Sequence, residues 1–203
     1  MAPTGVALRD IREQLFDAAE RILLRDGPSA LTSRALTAEA GVAKGVLHRH
    51  FADFDDFLAA FVLDRIARLD PQAAALLEAA GTNTVADNLT SALTGLYRSA
   101  AVAIVALVGY RDELRARLRD GWPAGVPVLT DAAIMIGRYL AAERERGRLA
   151  SAADTDTLAA MLIGTVHLLH ADRTATPPTA EAVHRAVTAV LSGAVQPGPR
   201  RLP

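Results

Sequence analysis

Leu31 to Phe51, LTSRALTAEAGVAKGVLHRHF, is the stretch that most constrains this chain. It reads as two short helices joined by a tight turn. Thr32 or Ser33 can cap the first, because a hydroxyl oxygen can accept from an orphan backbone N–H. Gly41 stands where the first helix must stop and the chain must bend, a conformation glycine adopts without a Cβ penalty. Lys44 to Phe51 then makes about two more turns. Leu47 and Phe51 are four apart, share one face and can pack on the first helix. Gly45 and Arg49 point the opposite way, flanked by Val46 and His48. That outward face is small near its start and cationic further along, so it can approach a polyanion and present donors to it. This is the logic of a helix-turn-helix whose second helix enters the major groove.

The flanking sequence supplies helices and no alternating strand pattern. Leu8, Ile11, Leu15, Ala18/Ala19 and Ile22 recur at three and four, predicting a helix from Ala7 to Arg25 behind a frayed Met1–Val6 arm; Gly27 and Pro28 end it. Asp53 is an N-cap for a further helix reaching Leu69, with Asp55 and Asp56 at the positive end of its dipole. Pro71 marks a break. Beyond it the pattern predicts a short helix to Ala80 and a Thr84 cap. Val85 to Asp120 should hold two helices, broken either between Arg98 and Val102 or near Gly109. The GWPAGVP linker at 121–127 follows, then a helix over Val128–Arg146 closed by Gly147. Another runs from Asp154 to about His170, a loop spans Arg173–Pro178, and a last helix is capped by Thr179 and ended by Gly193. Gln196 to Pro203, rich in Pro, Gly and Arg, reads as a disordered tail.

The same residues carry a family resemblance. The run T-S-R-A-L-T-A-E-A-G-V-A-K-G-V-L-H-R-H-F, followed by A-D-F-D-D-F-L, resembles the N-terminal signature of the TetR family of one-component repressors, and Arg9 to Leu69 follows that domain's pattern. The remainder is similar in length and helix layout only. Three positions depart: His48 stands where the family usually has a phosphate-contacting tyrosine, Phe54 where it usually has a lysine, and Ala43 where a serine is common. These bear on phosphate affinity rather than on fold. The resemblance implies an all-α protein with a three-helix DNA-binding domain over 9–69 (helix-turn-helix 32–51), and a C-terminal ligand-binding and dimerisation domain over 71–195. DNA would be met by Ser33, Arg34, Lys44, Gly45, Val46, His48, Arg49 and His50. The partners implied are a palindromic double-stranded operator, a second copy of the chain and a small, mainly apolar effector that releases the repressor. The helix from Asp53 to Leu69 would act as the lever.

Effector candidates in the C-terminal region are the polar-tipped or soft side chains Tyr97, Tyr110, Trp122, Met135, Tyr139, Met161 and His167. The dimer interface is expected on the last two helices. There Leu158, Leu162, Thr165 and Leu169 form one stripe beside Gly164, and Val183, Ala186, Val187 and Val190 form another. On that reading Val187→Arg breaks the dimer.

Composition limits the alternatives. Hydrophobic residues make up 51% of the 203 and aromatics only 4%, which favours packed helices over sheets. No window holds the ~20 apolar residues needed to span a bilayer, and charged residues interrupt any N-terminal apolar region, so the cytoplasm is the expected compartment. The absence of cysteine excludes a disulfide framework and Cys-based zinc. A net charge of −1 argues weakly against nucleic acid, but residues 1–50 hold seven Lys/Arg against six Asp/Glu. No phosphate loop, nucleophile elbow or paired-carboxylate signature appears, and no cofactor or metal is expected. The alternative from another class is a helical enzyme that uses the C-terminal cavity with His167 and His170, spaced i, i+3 on one helix.

Overall fold

The computed structural model describes residues 5–121, 125–171 and 177–195. Among them it forms α-helices and no strand: α1 Gly5–Arg25, α2 Ser33–Glu39, α3 Gly45–His50, α4 Phe54–Ala67, α5 Leu69–Glu78, α6 Val85–Arg98, α7 Ala101–Gly109, α8 Asp112–Gly121, α9 Leu129–Glu145, α10 Thr155–His170 and α11 Ala180–Leu191. An isolated antiparallel bridge joins Leu149 to Val195. No single described helix is long and apolar enough to cross a membrane.

The caps set the boundaries. The hydroxyl oxygens of Thr32, Thr84 and Thr179 accept from the backbone N–H groups of Ala35, Asp87 and Ala182, and the Asp154 carboxylate accepts from Asp156 and Thr157. The Asp53 carboxylate caps α4 by accepting from the Asp56 N–H at 2.9 Å. α4 stops at Ala67 rather than Leu69. Pro71 has no N–H to offer the Ala67 carbonyl, and its ring crowds that position; the proline is tolerated in the first turn of α5. The Val85–Asp120 stretch forms three helices, not the two expected, because the chain breaks at both candidate places. At the first, the Ser99 hydroxyl donates to the Leu96 carbonyl and its oxygen receives the Ala101 N–H. At the second, Arg115 donates to the Gly109 carbonyl, satisfying an end of α7 that has no further turn to bond it. The first helix begins two residues earlier than predicted, at Gly5, and α8 runs to Gly121. Most of the expected Arg173–Pro178 loop and the whole 196–203 tail lie outside the described residues.

The chain packs as two compact units, one of residues 1–65 and 103–127, the other of 66–102 and 128–203. The first unit therefore includes most of α7 and α8, a later excursion of the chain back into that unit. Its core is aromatic. Phe16 lies within ring distance of Phe51, Phe57 and Phe61 (6.2, 5.7 and 5.9 Å), and Phe51 meets Phe57 edge-on at 5.1 Å. Leu15, Leu36, Leu47 and Leu58 are fully buried around them. Burying such side chains is worth roughly 1.5–3 kcal/mol each, which lets a small unit hold its shape.

In the second unit α9 pairs with α10, and α11 packs on α6 and α10. Val183, Val187 and Leu191 of α11 and Leu89, Leu93 and Leu96 of α6 are all buried. Beside this apolar core runs a polar network. The Tyr139 hydroxyl donates to Glu143 Oε1 at 2.6 Å and accepts from Asn88 Nδ2 at 3.1 Å. The fully buried Glu143 carboxylate also accepts from the Gly81 N–H and pairs with Arg148. The network ties the α5–α6 turn to α9.

Candidate nucleic-acid interface

The helix-turn-helix is built as its sequence dictates. Gly41 has φ +67°, the left-handed turn expected there. Leu47 is fully buried and Phe51 nearly so, which anchors one side of α3. The opposite side is open: Lys44, Gly45, His48 and Arg49 are exposed, Val46 and His50 half-buried. On α2, Arg34 is exposed and Ser33 half-buried. A Cβ built on Gly45 would meet no atom of the protein within 4 Å. The missing side chain therefore relieves no internal crowding; it clears the outer surface, where a groove wall would come.

Contacts from α1 that sequence reasoning missed hold this surface in place. Gln14 Nε2 donates to the Ala40 carbonyl at 2.8 Å, at the head of the turn. Arg12 Nη1 donates to the His50 carbonyl at 3.4 Å, and its guanidinium lies over the Phe51 ring at 4.4 Å. Arg12 thus closes the C-terminal end of α3, whose last carbonyls lack helical partners. Arg21 and Arg25 both pair with Glu39 at the end of α2 and hold its carboxyl below the usual range, Arg21 first. That charge is thereby neutralised within the first unit. Only polar residues at helical spacing on α1 hinted at these contacts. α4 is tied to α1 in the same way: nearly buried Arg65 pairs with Glu20 at 2.9 Å and Asp17 at 3.3 Å, its guanidinium over Phe61 at 5.0 Å.

The second unit rearranges the other sequence candidates. Tyr97 and His167 do come together, at 6.1 Å between rings, with His170 stacked on Tyr97 at 4.6 Å. Burial pushes the Tyr97 phenol up, and its hydroxyl donates to the Ile163 carbonyl. Tyr139 is fully buried with its hydroxyl committed to the network above, and Met135 is core. Met161 is 50% exposed. Tyr110 is 89% exposed and belongs to the first unit. Trp122 lies outside the described residues.

A cleft of about 420 Å³ lies instead between α5 and α6. Ala75, Leu76, Ala79, Ala92 and Gly95 line it, with Gln72, Asn88 and Ser91 as polar edges. Small residues on two facing helices were its signal, one shared with ordinary helix packing.

The expected dimer stripes also need correction. Leu162, Val183 and Val187 are buried inside the protomer, because the stripe on α11 is used against α6. Leu158, Thr165, Ala186 and Val190 are half-buried, while Gly164 and Leu169 are exposed. The apolar face left open on α10 is Met161, Gly164, Leu168 and Leu169, with Leu168 at 76% exposure.

A short helix with an open cationic face, packed on a second helix and pinned by a third, defines a helix-turn-helix DNA-binding unit; the second unit is all-helical. Residues 15–61 match the family described as bacterial regulatory proteins, tetR family. A curated relative from Haemophilus influenzae, an uncharacterised HTH-type transcriptional regulator, is 36% identical over 55 residues, 27% of this chain and 29% of its own length. The alignment thus spans under a third of that relative. Solved structures extend the likeness to the whole fold. Reduced Escherichia coli NemR superposes with a TM-score of 0.73 at 17% identity, covering 94% of this chain and all of that one. A TetR-family regulator from Agrobacterium tumefaciens gives 0.71 at 12% identity over 93% of this chain and all of its own. A gamma-butyrolactone receptor described as ArpA-like gives 0.61 at 23% over 93% and 89%. Residues 15–61 thus carry a DNA-binding domain of the tetR type, and the chain as a whole shares the fold of these structures.

Proposed function

We propose that this protein is a homodimeric, ligand-responsive repressor that binds a palindromic operator and acts in the cytoplasm. The observation that carries the reading is the outer face of α3. Lys44, His48 and Arg49 stand exposed there beside an unobstructed Gly45. Ser33, Arg34, Val46 and His50 complete the DNA-facing set. Two copies related by a two-fold axis would present two such helices about 34–36 Å apart, one turn of DNA. The open face of α10, Met161/Gly164/Leu168/Leu169, is the surface assigned to the second copy; exposed apolar side chains grouped on one helix need a partner.

The effector is assigned to the α5–α6 cleft, whose walls are mostly methyl and methylene groups and whose polar edges, Gln72 and Ser91, suit few hydrogen bonds. One of the proteins of similar fold is described as a gamma-butyrolactone receptor, which is in line with a small, uncharged ligand. Such a molecule releases DNA only if it binds one arrangement of the protein better than the other, and α4, residues 54–67, is the element assigned to carry the change. No observation favours the enzyme alternative: His170 Nδ1 lies 2.9 Å from the Val166 carbonyl and its ring is stacked on Tyr97.

Selection of bound duplexes from a random pool tests the reading. An inverted repeat with half-sites about one helical turn apart is the expected result. A pool that shows no enrichment after repeated rounds would sink it.

A further inference from the structure

The start of α4 poses an electrostatic problem for a DNA-binding unit. Three carboxylates, Asp53, Asp55 and Asp56, begin two residues after α3 closes at Phe51. Asp53 is four residues from Arg49, so at most ~14 Å of chain separates them. That is little more than the ~10 Å over which charges are screened at 0.1 M salt. Phosphates drawn in by Arg49 would therefore feel these acids. Phe54, in their midst, brings no compensating charge.

The compensation comes from outside the helix-turn-helix. Arg111, between α7 and α8, sets Nε and Nη2 on Asp55 Oδ1 at 3.1 and 2.9 Å, with its guanidinium 5.5 Å from the Phe54 ring centre. Phe54 in turn stacks on core residue Phe57 at 5.8 Å. Arg117 of α8 reaches Asp53 Oδ2 at 2.5 Å. The third acid, Asp56, accepts from the Ala52 N–H at 2.9 Å, just after α3. Each carboxylate is thus engaged, two of them by arginines from the segment that the chain sends into the first unit from the second.

We propose that Arg111 and Arg117 are positioning residues for DNA binding: they neutralise and hold the acidic start of α4, so that α3 can approach a polyanion. The proposal rests on the DNA-binding reading. It also gives the α7–α8 excursion a function, since its presence sets the charge beside the recognition helix.

The test titrates a selected duplex and a scrambled one against four proteins: wild type, Arg111→Gln/Arg117→Gln, Asp53→Asn/Asp55→Asn, and the quadruple variant. Asparagine caps a helix as well as aspartate does, so α4 keeps its start. The arginine variant should bind both duplexes more weakly by the same factor, about three- to tenfold at low salt, with the loss shrinking as salt rises. The asparagine variant should bind more tightly than wild type. The quadruple variant should return to within about twofold of wild type, because it lacks both the acids and the charges that offset them. An arginine variant with unchanged affinity would overturn the proposal. So would a loss that persists in the quadruple variant and at high salt, since the pairs then merely dock α8. If the double arginine variant loses helical circular dichroism, Arg117→Gln alone, on the more exposed pair, carries the same comparison. A wild type that binds no duplex would sink the parent reading and this one together; a wild type that binds its duplex while the variants keep its affinity and salt response sinks this one alone.

Discussion

Leu168→Arg and Val187→Arg place the same charge on successive helices of the second unit and should fail in opposite ways. Leu168 is 76% exposed in the protomer, and Val187 is fully buried where α11 packs on α6. Complete burial of a leucine is worth roughly 1.5–3 kcal/mol. About three quarters of that remains to be gained when a second copy covers Leu168, so about 1–2 kcal/mol per protomer, and twice that across a two-fold interface. Losing it weakens the dimer by roughly 2–4 kcal/mol, about 30- to 700-fold in dissociation constant. The burial of an arginine charge in place of an apolar group adds to this. Leu168→Arg should leave the fold intact and yield monomers in sedimentation velocity over a concentration series. Val187→Arg instead buries an unpaired guanidinium, a loss of several kcal/mol against a total stability of about 5–15 kcal/mol. It should lower the melting temperature sharply before any dimer effect can be read. A Leu168→Arg protein that sediments as the wild-type dimer would refute the assignment, as would a well-folded monomer of Val187→Arg.

Three further outcomes follow from particular contacts. Gly45→Ala should hold stability level or raise it by about 0.5–1 kcal/mol, as alanine does in a helix, while DNA affinity falls; a melt and a duplex titration on the same sample check both. Tyr139→Phe removes the donor to a buried carboxylate and should cost about 1.5–3 kcal/mol, a fall of roughly 3–10 °C in melting temperature; Glu143→Gln in the same background should cost less than the sum of the two single changes. Burial, and then neighbouring His170, hold the His167 imidazole below its ordinary range. The unfolded chain therefore takes up that proton first, so the stabilising contribution is complete above the unfolded value of about 6.5 and is lost as pH falls below it toward the lower folded value. His167→Phe should flatten the decline in urea midpoint between about pH 7 and pH 5.

Much of the helix layout was legible in the sequence because its determinants are local. Capping hydroxyls, the turn glycine and the four-residue spacing of Leu47 and Phe51 act within a few residues of one another, and Thr32, Thr84, Asp154 and Thr179 cap where their chemistry requires. The limits were set by distance along the chain. Apolar periodicity shows that α11 has a buried face, but not whether that face meets α6 or a second copy; Val183 and Val187 turned inward for that reason. α10 is apolar on more than one side, so Leu162 could be placed inside and Leu168 outside only once the neighbouring helices were in view. The Asn88–Tyr139–Glu143 network joins residues 51 apart, and the Arg111–Asp55 pair spans 56. Neither leaves a local signature. Tyr139 looked like a ligand contact because a polar tip on an apolar face fits that role as well as it fits a satisfied core.

Base reading by α3 is tested most directly by the specificity ratio of Arg49→Ala beside that of Lys44→Ala. Both side chains are exposed at the helix surface. Arg49 lies on the face opposite Leu47 and Phe51, and its planar fork matches the two acceptors of guanine. Lys44, at the helix start, needs only a phosphate. Affinities for a selected duplex and a scrambled one, each measured across a salt series, separate the two roles. Arg49→Ala should lose about 1–3 kcal/mol per half-site on the selected duplex and little on the scrambled one. Lys44→Ala should weaken both alike and lower the salt slope by about one contact per half-site. An Arg49→Ala protein that keeps the wild-type specificity ratio would contradict base reading by α3.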